Sequence, residues 1–377
     1  MALLAWRDRF LLGVQDVSAR VIECSLAFGG DPYSNQIWLS EGHLELDNAD
    51  GALTVDDTRL EITQPAVAGR PQKRLWTGRA RRRLVPKTAE TTSRRTYDLS
   101  GLLELALGYT RRIAWRQDGT GGADQAPTTL AATIRGVVAK GMRGGNLAVS
   151  IPVVDLPDIG PLTINETDDD GTAGPFSRRG VEWLRIIADI AHVRPLDVRG
   201  TAFAISQGAS SAANRAGAGY LDGEIVLMTD ARLHRDDRSI QNVFQNAHFE
   251  SQVPASIAEW GERVVELPDW LPSGNHLLLS ASAPGVIIDF EVPRWQETET
   301  ALAAIDGLEP ATTHRMVASE GGQAVFDDLG CVTRLTYSWH WDDIPRLRVE
   351  SVVYLHETLV QAWILGSSDL GVDTILG

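Results

Sequence analysis

Lysine is almost missing from this chain. Only Lys73, Lys87 and Lys140 occur among its 35 basic residues, so positive charge means arginine. A GC-rich coding sequence produces that bias, and so does a need for planar, bidentate contacts to carboxylates. Cysteine is scarcer still. Cys24 and Cys331 are too few and too far apart for a disulfide framework or a thiolate metal site, and both read as small buried hydrophobes. No run of about 18 apolar residues exists, so no membrane-spanning segment is expected. The opening MALLAWRDRF lacks a charged region followed by an uninterrupted apolar core, so no signal peptide is expected. A formal net charge of −15 argues against an electrostatic nucleic-acid binder.

Catalytic signatures are missing as well. There is no phosphate-binding glycine loop, no dinucleotide fingerprint and no His-Glu-x-x-His; His356-Glu357 lacks the second histidine. Ser210 lies in a Gly-Ala-Ser-Ser-Ala stretch without the second glycine of a nucleophile elbow. Asp168-Asp169-Asp170-Gly171 suggests calcium, but aligning Gly171 to the sixth loop position puts Glu166 first and Ser177 twelfth. The same alignment on Gly51 puts Leu46 first, so neither stretch is an EF-hand loop. No catalytic residue, metal ligand or cofactor site is assigned.

What is present is mostly β pattern, on a chain whose 377 residues exceed one ordinary core. In Gly42–Leu53, Leu44 and Leu46 alternate with His43, Glu45 and Asp47, then Asn48-Ala49-Asp50-Gly51 supplies turn chemistry before Leu53-Thr54-Val55 resumes an extended pattern. Strands are also predicted over 19–26, 59–62 and 74–80. Helices are predicted over Leu99–Leu107, Thr128–Lys140 and Arg179–His192, followed by a hairpin around Arg199-Gly200. Residues 207–223, rich in Gly, Ala and Ser, read as a linker. Strands then resume, with a helical turn at 256–260 and a helix at 297–305. The division expected is an N-terminal β-barrel at 1–97, a mixed α/β domain at 98–206, a linker at 207–223 and a C-terminal β-rich second barrel at 224–377. The fold class is α+β, mainly β.

Two surface features stand out. Arg70 to Arg95 forms a basic belt that includes Arg79, Arg81, Arg82 and Arg83. With only Trp76 and Tyr97 among its arginines, it reads as a strand edge or a docking face for an acidic neighbour rather than a nucleic-acid site. Tyr337, Trp339 and Trp341 share one face of an alternating strand, as core, as a subunit interface or as a sugar-binding row.

Several stretches together resemble the tail-hub (minor tail, or baseplate hub) proteins of tailed bacteriophages. Gly42-x-Leu44-x-Leu46-Asp47-Asn48-x-Asp50-Gly51 is similar to that family's first strand and turn, and Leu75-Trp76-Thr77-Gly78 to the motif after it. Trp183–Ile205 resembles its helix-then-hairpin segment. Ile240–Asn246, Ala255–Arg263 and Trp363 to Val372 follow in the family's order. The resemblance implies two small β-barrels with an α/β domain, and a homotrimer whose six barrels close the tail tube and adapt six-fold to three-fold symmetry. It implies distal tail or tube ring proteins, tail-fibre or tip proteins and a tape-measure protein as partners, with DNA only as passing cargo. Location in the virion tail tip follows from the same resemblance. Arg79, Arg81, Arg82, Arg83, Trp339 and Trp341 are the expected assembly interface. A carbohydrate-binding module resting on the tryptophan stripe, and a cell-wall hydrolase, are the alternative functions.

Overall fold

A computed structural model describes residues 8–30, 38–66, 72–83, 93–101, 112–116, 124–125, 176–179, 182, 194–198, 202–206, 219–222, 229–236, 238, 240–247, 250–266, 285–294, 299–310, 313–320 and 323–353. Among them the chain is mainly β.

The N-terminal strands are β1 (Arg9–Leu12), β2 (Gln15–Asp16), β3 (Val21–Gly29), β4 (Glu41–Asp47), β5 (Asp57–Gln64), β6 (Lys73–Arg82) and β7 (Arg94–Gly101). Next come β8 (Arg112–Arg116), β9 (Asp124–Gln125) and β10 (Phe176–Arg179), a three-stranded sheet, and the hairpin β11 (Arg194–Val198) with β12 (Ala202–Ser206). The C-terminal part opens with β13 (Gly219–Asp222), β14 (Thr229–Asp236), β15 (Val243–Gln245), β16 (Glu250–Gln252) and helix α1 (Pro254–Trp260). It continues with β17 (Val264–Glu266), β18 (Gly285–Pro293), α2 (Glu299–Asp306), β19 (Thr313–Glu320), β20 (Gln323–His340) and β21 (Arg346–Val353).

One sheet joins the two ends of the chain. Its order runs β14-β18-β21-β20-β3-β4-β7-β6-β5-β1-β2, with β19 on the first half of β20 and β13 beside β19. The seam is the antiparallel pairing of β20 with β3, from Arg334↔Gly29 to His340↔Glu23. Gly29 makes this seam possible. Its φ of +91° suits glycine, and a Cβ there would lie 2.0 Å from the Thr333 carbonyl oxygen. Inward positions from both halves fill one hydrophobic cluster: Leu44, Leu46, Leu60, Trp76 and Tyr97 from the first, Phe290, Leu335, Leu347 and Val349 from the second. α2 adds Ala301 and Ile305, and the Asp306 carbonyl accepts a 2.6 Å bond from Lys73.

A buried ionic knot crosses the same seam. The Asp8 carboxylate pairs with the Arg294 guanidinium and accepts the Trp339 indole N–H at 2.7 Å, with both charged side chains at most 4% exposed. Arg294 also donates to Gln64 at 3.3 Å and lies 5.4 Å from the Tyr337 ring centroid. Tyr337 stacks on Trp339, and Phe10 meets Trp339 edge-on at 5.4 Å. Four segments far apart in sequence converge here.

The structure departs from the sequence expectations in three places. Residues 219–222, at the end of the expected linker, form β13 and pair with β19. Residues 53–55 are not a strand; the turn is longer and β5 begins at Asp57. The predicted helix from Leu99 begins as strand, because β7 runs through Gly101 with Leu99 paired to Gly42 and Ala80. Ladder pairing on both sides overrides a helical spacing of leucines. The remainder of that helix, the helix at 128–140, most of that at 179–192 and the segment after residue 353 lie outside the described residues. The hairpin around 199–200 and the helices near 256–260 and 297–305 are found as expected.

Two tests follow from this packing. Asp8→Ala leaves a buried guanidinium without its counter-ion and should cost about 3–5 kcal/mol in urea unfolding, with part recovered in Asp8→Ala/Arg294→Met. A Cβ on Gly78 would meet the Trp76 ring at 2.1 Å and the Ser100 carbonyl oxygen at 2.4 Å. Gly78→Ala is therefore expected to destabilise by about 1–3 kcal/mol, read as a lower thermal midpoint.

Candidate assembly surface

The turn after β4 is built by its own side chains. The Asp47 carboxylate accepts from Ala49 N–H at 3.0 Å, Asn48 from Leu53 N–H at 2.7 Å and Asp50 from Ala52 N–H at 3.1 Å. Gly51 sits at φ +67°. Arg20 grips Asp50 bidentately at 2.8 and 2.6 Å, and its guanidinium holds that carboxyl well below the usual range. The acidic turn is thus satisfied from within the chain. Among the described residues no group of three or more His, Cys, Asp or Glu could hold a metal ion. Cys24 is fully buried, and desolvation pushes its thiol well up, as befits a core residue.

Most of the arginine belt lies on the outward face of β6 and β7, whereas Arg82 and Arg95, opposite the core residues Tyr97 and Leu46, stand at the rim of the inner face. Along β6, Trp76, Gly78 and Ala80 turn inward while Arg79 and Arg81 face out, and a bulge at the buried Leu75 resets the register so that Arg74 also faces solvent, with Arg83 just beyond the strand. Carboxylates stand opposite them. Arg79 pairs with Asp57, Arg82 and Arg95 both reach Asp56 (3.0 and 3.1 Å), Arg94 reaches Glu45 (2.7 Å) and Arg74 reaches Glu61 (3.7 Å). Arg83 stands 4.0 Å from Asp98, and Arg81 adds to the positive field on Asp57. The Arg79 bond, chiefly, lowers the Asp57 carboxyl below its ordinary value. Much of the belt therefore serves as cross-strand pairing, worth a few tenths of a kcal/mol per exposed pair.

The tryptophan stripe splits. Tyr337 and Trp339 are each 5% exposed and belong to the core and the knot. Trp341 lies one residue past the end of β20, in the turn to β21, and is 72% exposed. A surface row of three rings does not exist, because strand alternation ends at His340. Trp341 alone is presented to solvent.

The motif segment 240–263 gains a physical explanation. Asn242 is fully buried and donates to Gly261 O (2.8 Å) and Ser256 Oγ (3.2 Å), while its side-chain oxygen accepts from Arg263 N–H at 2.7 Å. One amide thus ties β15, α1 and the entry to β17 together. The sequence hinted at this only through the spacing of Asn242, Ser256, Gly261 and Arg263. Among the described residues no helix is long and apolar enough to cross a membrane.

No protein-family model matches the sequence, and no curated protein matches it either. Solved structures do. The 43 kDa tail protein of prophage MuSo2 from Shewanella oneidensis aligns over 94% of this chain and 98% of its own, with a TM-score of 0.57 at 13% identity. A tail protein from Neisseria meningitidis MC58 aligns over 92% and 96%, also at 0.57, with 10% identity. A chain of the Francisella PdpA–VgrG complex aligns over 94% of this chain and 59% of its own, at 0.52 and 6%. The class is therefore defined by fold: this chain has the architecture of phage tail proteins. The tail-hub resemblance of its ordered motifs and the fold point the same way.

Acid provides a test of the outward face. Because the folded Asp50 and Asp57 carboxyls titrate below their unfolded values, the unfolded chain takes up protons first as pH falls. Their contribution is complete above the ordinary carboxylate range near pH ~4 and is lost on further acidification. Thermal midpoints should fall below about pH 4, and Asp57→Asn should make that fall shallower.

Proposed function

We propose that this chain is a structural component of a phage-type tail, a tip or baseplate hub. In this reading it assembles as a homotrimer that closes the tail tube and adapts six-fold tube symmetry to a three-fold tip. The observation that carries the reading is the end-to-end match in fold to two tail proteins at 94% and 92% coverage of this chain. The ordered sequence motifs from Gly42 to Val372 support it independently.

The β strands of 1–97 and 224–377 supply the two barrel-like units, the segment 98–206 is the inserted mixed domain, and 207–223, ending in β13 beside β19, leads back into the sheet. The shared β3–β20 seam supports treating the two barrel-like units as a rigid pair within each subunit. The role is structural rather than catalytic, set in the virion tail tip. Its partners are ring proteins above, tip or fibre proteins below and the tape measure within, with DNA passing through. Arg79, Arg81, Arg82, Arg83 and Trp341 form the assembly surface, which meets acidic and apolar groups of neighbours, while Trp339 braces it from the core. A sugar-binding role loses its support with the burial of Tyr337 and Trp339.

Light scattering on the purified chain should give the mass of three copies, and particles lacking the gene product should carry no completed tails. A stable monomer that is absent from virions would remove the reading.

A further inference from the structure

How two copies meet can be carried further, resting on the assembly reading above. The β20–β21 turn presents Trp341, 72% exposed, with Ile344 at 43% three residues on. The turn is held in shape. Trp341 N–H donates to Ile22 O at 2.9 Å and Asp343 N–H to His340 O at 3.2 Å. The Asp343 carboxylate accepts from Ile344 N–H at 2.7 Å and from Arg346 at 3.1 Å, and Arg346 also bonds Glu291. A turn already ordered loses little freedom on docking. Its acidic groups outnumber its arginine: Asp342, bonded to His340, and Asp343 are about half exposed, and Arg346 is shared with Glu291.

The outward face of β5–β7 has the opposite excess. Arg59, Arg74, Arg79, Arg81 and Arg83 stand there against Asp57, Glu61 and Asp98. In a chain of net charge −15 such a surplus is local to this face. Arg81 and Arg83 are its exposed members at one end. Guanidinium planes stack on indole faces and pair with carboxylates, so this face suits an aromatic, acidic knob. The two surfaces stay apart within one copy, because β3, β4 and β7 lie between β20 and β6, about 19 Å across the sheet.

We propose that the Trp341 turn of one copy docks on the Arg81–Arg83 face of a second copy, the indole stacking on guanidinium and Asp342 pairing beside it. The two surfaces differ, so the contact is head-to-tail, and its repetition closes a ring.

A charge-exchange cycle on the full-length chain tests this by sedimentation velocity across a concentration series. Trp341→Ala, Asp342→Arg and Arg81→Asp are each expected to weaken self-association at least tenfold with unchanged circular dichroism, since all three positions are exposed. Asp342→Arg/Arg81→Asp restores opposite charges between copies and should recover most of the loss. Trp341→Phe should retain more association than Trp341→Ala. Association unchanged in Trp341→Ala and Arg81→Asp, or a double variant no better than its singles, overturns the inference. The tail reading is scored separately by incorporation into virions, so trimers that survive every variant would sink the docking contact and leave that reading standing.

Discussion

The Asp8–Arg294 ion pair is the constraint on which the rest of the chain depends. A carboxylate and a guanidinium taken out of water lose several kcal/mol of hydration each, and only good geometry with further hydrogen bonds offsets that loss. Here the offset comes from parts of the chain that share no sequence neighbourhood. Trp339 donates from β20, Gln64 accepts at the end of β5, and Asp8 precedes β1. Any arrangement that separates the N-terminal and C-terminal strands strands a charge in the core. The pair thus specifies how the two β regions meet more than it adds to their net stability.

That constraint clarifies the difference between the inner and outer faces of the sheet. Inside, side chains from both ends interdigitate around Trp76, Tyr97, Phe290 and Trp339. Outside, arginines and carboxylates alternate across strands, as in Asp57 with Arg79 and Glu45 with Arg94. The scarcity of lysine acquires a structural use here, because forked donors span neighbouring strands where an ammonium would make a single point contact. Beyond the strands, Trp341 stands 72% exposed, outside the core.

Local pattern was legible in the sequence where one face of a strand is buried. Leu44 and Leu46 alternate with polar neighbours and are both fully buried, and the turn at Asn48–Gly51 carries the side-chain bonds its residue types foretell. The leucine spacing after Asp98 misled, because a helix and a strand buried by neighbours on both sides can share the same few apolar positions. The β3–β20 seam was invisible, since no local signal pairs residues about 300 positions apart. The surface was half legible. Alternation placed Tyr337 and Trp339 on one side, but only the strand's end at His340 separates Trp341 from them. The belt was visible as charge, yet its carboxylate partners on β4 and β5 come from pairing that sequence spacing does not encode.

The seam also sets a timetable. β3 leaves the ribosome early, and its partner strand follows roughly 300 residues later. At a synthesis rate of about 5–20 residues per second, one edge of β3 waits about 15–60 s for its ladder. Through that interval Cys24, Leu26 and Phe28 lack the cover that Tyr337 and Trp339 later give. An edge left open that long is a template for pairing with another nascent chain. Glu23, which faces His340 once the ladder closes, places a carboxylate on that edge, the kind of side chain that discourages edge-to-edge pairing.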